Sequence, residues 1–193
     1  VLTLMVAYVY SRLRFPSRRF LMNASLVLGM FPGFMSIIAI YHFMKAVSLD
    51  QTLLALILVY SGGAALNYYI AKGYFDTIPK SLDEAAILDG ASNHTIFWRI
   101  ILPNSKPVIA TTAINAFINP IVDFIFVSVI MKDNYSNFTV AKGLYTMVDK
   151  TNIYEYYTVF CAGAVLVAIP VVLLFIRMQK YYVAGVVGGS VKG

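Results

Sequence analysis

Residues 81–103 read SLDEAAILDGASNHTIFWRIILP, a polar stretch set between long apolar runs. Ser81 followed three residues later by Glu84 is a capping-box pattern, in which Ser81 accepts from a backbone N–H at the helix start and Glu84 reaches back to the Ser81 N–H. Pro79 ends whatever precedes it. The pattern predicts a helix from Leu82 to about Asp89, stopped by Gly90, which takes a left-handed helix end at little steric cost. Ser92 then caps a second short helix presenting Ile96, Phe97 and Ile100, and Pro103 limits its extension. The expected unit is a helix, a sharp turn and a helix.

What surrounds the hairpin is apolar. The 193 residues are 60% hydrophobic and 12% charged, against about 25% charged in an average soluble domain, and mean hydropathy is +0.75. Net charge is +6, but the basic residues sit at the ends of apolar runs and not along one stripe, which argues against nucleic acid as a partner. A bilayer core of roughly 30 Å needs about 20 helical residues. Phe20–Tyr41, Thr52–Ala71, Pro107–Met131 and Thr158–Ile176 are long enough to span it. Asp123 interrupts the third, and Val1–Tyr10 is half a span, expected to be the tail of a helix cut before position 1. Summed over alternate loops, eleven Lys and Arg fall on one side and four on the other. The positive-inside rule then puts residues 11–19, residues 81–103 and the tail in the cytoplasm. Cys161 is the lone cysteine, so no intrachain disulfide forms.

The spacing Glu84-Ala85-Ala86, three residues, Gly90, nine residues, Ile100, one residue, Leu102-Pro103 resembles the EAA loop of permease subunits in ATP-binding-cassette importers. Other phrases extend the resemblance to the carbohydrate-type, maltose-permease G-like members: YSRLRFP at 10–16, FDTIPKSLDEAA at 75–86, TVAKGL at 139–144 and QKYYVAGVVGGSVKG at 179–193. Together they cover nearly the whole chain. The resemblance implies an all-α, polytopic transmembrane bundle of the type I importer kind, with residues 1–193 as one permease domain lacking its first helix and part of the second. It also implies a multi-pass place in a bacterial inner membrane. Residues 81–103 would be the coupling loop that docks in a cleft of a separate ATPase subunit. Ala85 and Ala86 would permit close approach there, Glu84 would supply a charge near the contact, and Gly90 would permit the bend. No GxxxxGKS/T loop is present, so ATP and Mg would be bound by partner subunits and not by this chain. The implied partners are a second permease, two ATPases and an extracytoplasmic sugar-binding protein.

One helix carries most of the intramembrane polarity. Asn115, Asn119 and Asp123 recur at i, i+4 and i+8, on one face, with Pro120 breaking the hydrogen-bond ladder beside them. Asp at mid-bilayer costs about 2.5–3.5 kcal/mol on insertion scales, so it is expected to face a cavity or a partner. Two readings stand: a lining of the sugar pathway, or a polar seam holding this helix to its neighbours. The stretch FINPIVDF, 117–124, is similar to a variant found in maltodextrin-type members where many sugar permeases carry W-N-D/E-F. In the external loop at 132–157 the resemblance assigns Thr139, Lys142 and Gly143 to a surface facing the binding protein; a solvated connector is the plainer reading. His42 and His94 are isolated, so no metal site is expected, and no catalytic set converges on one side of the membrane. The expected function is ATP-driven, binding-protein-dependent import of maltodextrin or another oligosaccharide by alternating access. The alternative is an ion-gradient-driven secondary transporter with Asp123 as its coupling site.

Overall fold

A computed structural model describes the chain apart from residues 31, 32, 63, 64, 150, 152 and 191–193, with the side chains of 34, 65, 66 and 182–190 also left undescribed. In order, the helices are α1 (Leu2–Arg12), α2 (Arg18–Met30), α3 (Gly33–Ala46), α4 (Leu53–Gly62), α5 (Ala65–Asp76), α6 (Ser81–Leu88) and α7 (Asn93–Ile96). A wide π-type turn over Phe97–Ile101 and a tight 3-10 turn over Pro103–Ser105 lead into α8 (Lys106–Val122), followed by α9 (Ile125–Met131), α10 (Val140–Met147) and α11 (Ile153–Ser190). No strand occurs among the described residues, and the all-α class expected from the apolar runs is the fold.

By length and composition, Leu53–Asp76 and Ile153–Tyr181 suffice to cross a membrane, and up to four spans result if each bent helix pair is one. Two of the expected spans, Phe20–Tyr41 and Thr52–Ala71, contain positions outside the described residues, as does the end of the 179–193 phrase. The expected span Pro107–Met131 is a broken one: α8 and α9 meet at 58° across Asp123-Phe124. Pro120 explains the place, because it has no N–H to offer the Ala116 carbonyl and α8 ends two residues later. Along α11, Val165, Leu166, Leu173 and Ile176 are exposed, as a surface solvated by lipid requires.

The chain forms two compact units, residues 1–30, 64–113 and 178–193 in the first and 31–63 and 114–177 in the second. In the first, α1 packs on α5 through Ala7 and Ala71, both fully buried, with Leu4, Tyr8, Phe75 and Ile78 around them. Ala86, Ile96, Phe97, Ile101 and Val108 close the same core, so the hairpin is built onto it. The second unit gathers Met44, Ala55, Leu56, Phe126, Val127, Ile130 and Met131, with Tyr60 edge-on to Phe126. Its outer turn is tied by Gln51, whose N–H donates to the Ile130 carbonyl and whose carbonyl accepts from Nδ2 of both Asn134 and Asn137 at 3.0 Å.

Candidate functional site: the hairpin and the broken helix

Within residues 81–103 the turn is a Schellman motif. Gly90 sits at φ +83°, its N–H donates to the Ile87 carbonyl at 2.9 Å, and the Ala91 N–H donates to the Ala86 carbonyl at 2.9 Å. Ser92 caps α7 as the sequence indicates, accepting from the Thr95 N–H at 3.3 Å. The capping box at Ser81 does not form: Lys80 already has helical φ and ψ, and Ser81 is the first residue inside α6 with no side-chain cap. The Glu84 N–H goes instead to the Lys80 carbonyl at 3.0 Å. Asp83 and Glu84 still place negative charge in the first turn of α6, where the helix dipole favours it. Nor does Pro103 stop the chain's helical course. The Leu102 N–H closes the wide turn on the Phe97 carbonyl at 3.0 Å, and Pro103 opens the tight turn that runs into α8.

The motif residues divide between two faces. Ala86 is 9% exposed and belongs to the core, so it packs on its own chain and is not available for close approach by another. Ala85, Glu84 and Asp89 face outward, together with Leu82, Ile87 and Leu88, the last 88% exposed. Ile100 and Leu102 lie partly buried against the core that Ile101 enters completely. The hairpin thus keeps an apolar side inward and shows a mixed one, apolar side chains interleaved with Glu84 and Asp89.

Polar ties fix the hairpin to α1. Arg12 Nε lies 2.7 Å from Asp83 Oδ2, with the two side chains 5% and 13% exposed, and Arg12 Nη2 donates to the Ile78 carbonyl at 2.8 Å. Ser11 Oγ donates to Asp76 Oδ1 at 2.7 Å, and Tyr8 Oη to the Asn93 carbonyl at 3.3 Å. Burial pushes the Asp83 carboxyl above its ordinary value and outweighs the pull of Arg12 in the other direction. In the sequence Arg12 is set apart from the other basic residues at the ends of apolar runs by nothing but its neighbours. The signal that could have separated it is the common face of Tyr8, Ser11 and Arg12 at i, i+3 and i+4.

At the broken helix the three polar residues part company. Asp123 Oδ1 accepts from the Phe126 N–H at 3.1 Å, capping α9, and Oδ2 accepts from the Tyr60 hydroxyl at 3.0 Å. Asn115 is half-buried and Asn119 exposed, and neither side chain has a hydrogen bond among the described residues. In α10, Lys142 lies over the rings of Phe124 and Phe138, 5.6 and 5.3 Å from their centroids, and Phe124 contacts the Tyr145 ring. Lys142 therefore faces the unit's own aromatic residues. Thr139 precedes α10 with its hydroxyl buried and unbonded among the described residues, while Gly143 borders open space. No cluster of metal-ligating side chains occurs among the described residues.

A chain helical throughout its described elements, with spans of membrane length and a Schellman-turned hairpin, belongs to the class of polytopic helical membrane proteins. Residues 1–187 match the family described as "Binding-protein-dependent transport system inner membrane component", and the chain belongs to that family. It is 42% identical over 188 residues, 97% of this chain and 66% of the relative, to the galactooligosaccharides transport system permease protein GanQ of Bacillus subtilis (strain 168). It is 37% identical over 191 residues, 98% of this chain and 67% of the relative, to the maltodextrin transport system permease protein MalD of Streptococcus pneumoniae. To the maltose/maltodextrin transport system permease protein MalG of Escherichia coli (strain K12) it is 34% identical over 194 residues, 97% and 64% of the two chains. The chain spans about two thirds of the length of these curated relatives. The fold matches a crystal structure of a bacterial ABC transporter involved in the import of alginate with a TM-score of 0.77 and 23% identity, over 94% of this chain and 70% of that one.

Proposed function

We propose that the chain is a permease subunit of an ATP-driven, binding-protein-dependent importer of oligosaccharides, working by alternating access in a bacterial inner membrane. The observation that carries this reading is the hairpin's division into two faces: Ala86 anchors α6 to the α1–α5 core while Leu88, Ile87, Leu82 and Ala85 form a bare outer face. On a short exposed helix, exposed apolar side chains interleaved with Glu84 and Asp89 suit docking into a partner's cleft. The partner is an ATPase subunit that binds ATP and Mg, and Glu84 and Gly90 take part as charge and pivot. Two such ATPases, a second permease and an extracytoplasmic binding protein complete the assembly. Galactooligosaccharides and maltodextrins, named for the relatives GanQ and MalD, support an oligosaccharide as the substrate class.

Asn115 and Asn119, open and unbonded among the described residues, are the pathway groups of this reading, meeting sugar hydroxyls with amides. Asp123 is assigned to holding α9 and Tyr60, since both of its oxygens are engaged. That engagement supports a structural role for Asp123 over a coupling site in a gradient-driven carrier. In the external loop, Gly143 stays with the binding-protein surface, Thr139 with its buried hydroxyl serves the loop's own packing, and Lys142 holds the rings of Phe124 and Phe138. The test is uptake of labelled maltotriose by proteoliposomes holding the full-length subunit with its partners. Uptake that requires internal ATP and external binding protein is the expected result. Uptake driven by an imposed proton or sodium gradient with the ATPases absent would overturn it.

A further inference from the structure

We infer that Arg12 is the positioning residue that passes movement of the hairpin to α1, and that the Arg12–Asp83 pair serves this linkage more than it serves stability. The inference rests on the permease reading proposed above.

Three observations support it. First, one face of α1 sends its polar groups to four successive points along the chain, two just before the hairpin and two within it. Ser11 bonds Asp76 at the end of α5, Arg12 bonds the Ile78 carbonyl in the connecting turn and Asp83 in the first turn of α6, and Tyr8 bonds the Asn93 carbonyl at the start of α7. The ring of Tyr8 also lies 5.1 Å from that of Phe97, beyond α7. A displacement of α6 therefore has a stiff route into α1.

Second, the pair is poorly satisfied for a buried one. Although Arg12 Nε is 2.7 Å from Asp83 Oδ2, its N–H is not aimed along the contact, and Nε, Nη1 and Asp83 Oδ1 lack hydrogen-bond partners among the described residues. A buried ion pair with idle donors and acceptors adds little net stability, and apolar side chains of similar size often do as well. Third, the guanidinium grips both the turn and the helix, which a lysine ammonium on a flexible stem does not reproduce with the same geometry. The pair therefore sets where α6 starts relative to α1, a role that apolar replacements cannot perform.

The test uses the full-length subunit assembled with its second permease, ATPases and binding protein, and compares wild type, the double variant Arg12→Met/Asp83→Leu and Arg12→Lys. The readouts are thermal midpoint, co-purification of the ATPases, binding-protein stimulation of ATP hydrolysis, and maltotriose transported per ATP. Both variants are expected to co-purify the ATPases with an unchanged midpoint, while stimulation and the transport ratio fall by about tenfold, within the ordinary range of coupling between sites. Unchanged stimulation and ratio in both variants would overturn the inference. So would failure of both variants to assemble, since Arg12 would then be a folding residue. A wild-type subunit that captures no ATPase at all would instead defeat the permease reading, which separates the two failures.

Discussion

Two buried or half-buried carboxylates stand in contrasting settings. Asp123, at the break between α8 and α9, has a donor on each oxygen. Asp83, at the start of α6, faces Arg12 but leaves Oδ1 without a partner among the described residues, and the arginine leaves Nη1 idle. The first arrangement uses charge as a cap, with the desolvation offset by a hydroxyl and a backbone N–H. The second holds two charges in place at a cost that their attraction only partly offsets. A carboxylate can thus close a helix end or register two helices, and the number of idle polar atoms distinguishes the uses.

The largest expected effect comes from splitting the second arrangement. Arg12→Met alone leaves the Asp83 carboxylate buried and unpaired and should lower stability by about 3–5 kcal/mol near neutral pH, read as a fall in the thermal midpoint of the solubilised assembly. The sign of its pH dependence follows from the raised Asp83 value. A carboxyl whose native value lies above its unfolded one contributes stability that is fully present below the unfolded value and is lost as pH rises through the native value. The defect of Arg12→Met should therefore shrink on acidification. A defect that grows in acid would show the carboxylate to be favoured in the fold even without its partner.

Next in size is Gly90→Ala. An added Cβ meets nothing within 4 Å, so the penalty is that of the left-handed backbone alone, about 1–2 kcal/mol. Gly90→Asn should cost less, because asparagine tolerates this conformation better. Equal losses for the two would point to a contact at the glycine instead. For Asp123→Ala the expected loss is about 1 kcal/mol, that of a cap, whereas Asp123→Asn keeps an acceptor and should retain transport in the maltotriose assay. Abolished transport in Asp123→Asn would make the two carboxylates functionally alike. Smallest is Gly143→Ala in α10, which faces open space and should raise stability by no more than about 1 kcal/mol through helix propensity, read as a small rise in the thermal midpoint.

Much of the hairpin was legible in the sequence because its signals are local. Gly90 and Ser92 fix the turn through their own backbone and side chain, and both do so in the structure. Ser81 misled because capping depends on the conformation of the preceding residue, and Lys80 had already entered the helix. Pro120 marked the break, and the Asp123 cap on the Phe126 N–H is local, but the hydroxyl that engages the other Asp123 oxygen comes from Tyr60 on a distant helix and left no local signal. The inward turn of Ala86 and the outward turn of Leu88 were not legible, since both are apolar and only the packing of α6 on α1 and α5 tells them apart. The resemblance assigns Lys142 to a surface facing the binding protein, yet its ammonium lies over the rings of Phe124 and Phe138, outside the local pattern.

The difference between Ala86 and Leu88 also supplies the most direct test of the docking face. In the full-length subunit in its native membrane, with the exposed Cys161 changed to serine, single cysteines are placed at Leu88 or at Ala86 and treated with a short cross-linker, and captured proteins are read by mass spectrometry. Capture of an ATPase bearing a phosphate-binding loop from Leu88→Cys, with little or none from Ala86→Cys, is the predicted result. Free labelling of Leu88→Cys by a water-soluble thiol reagent, with no ATPase captured from either position, would contradict the assignment of α6 as the coupling helix.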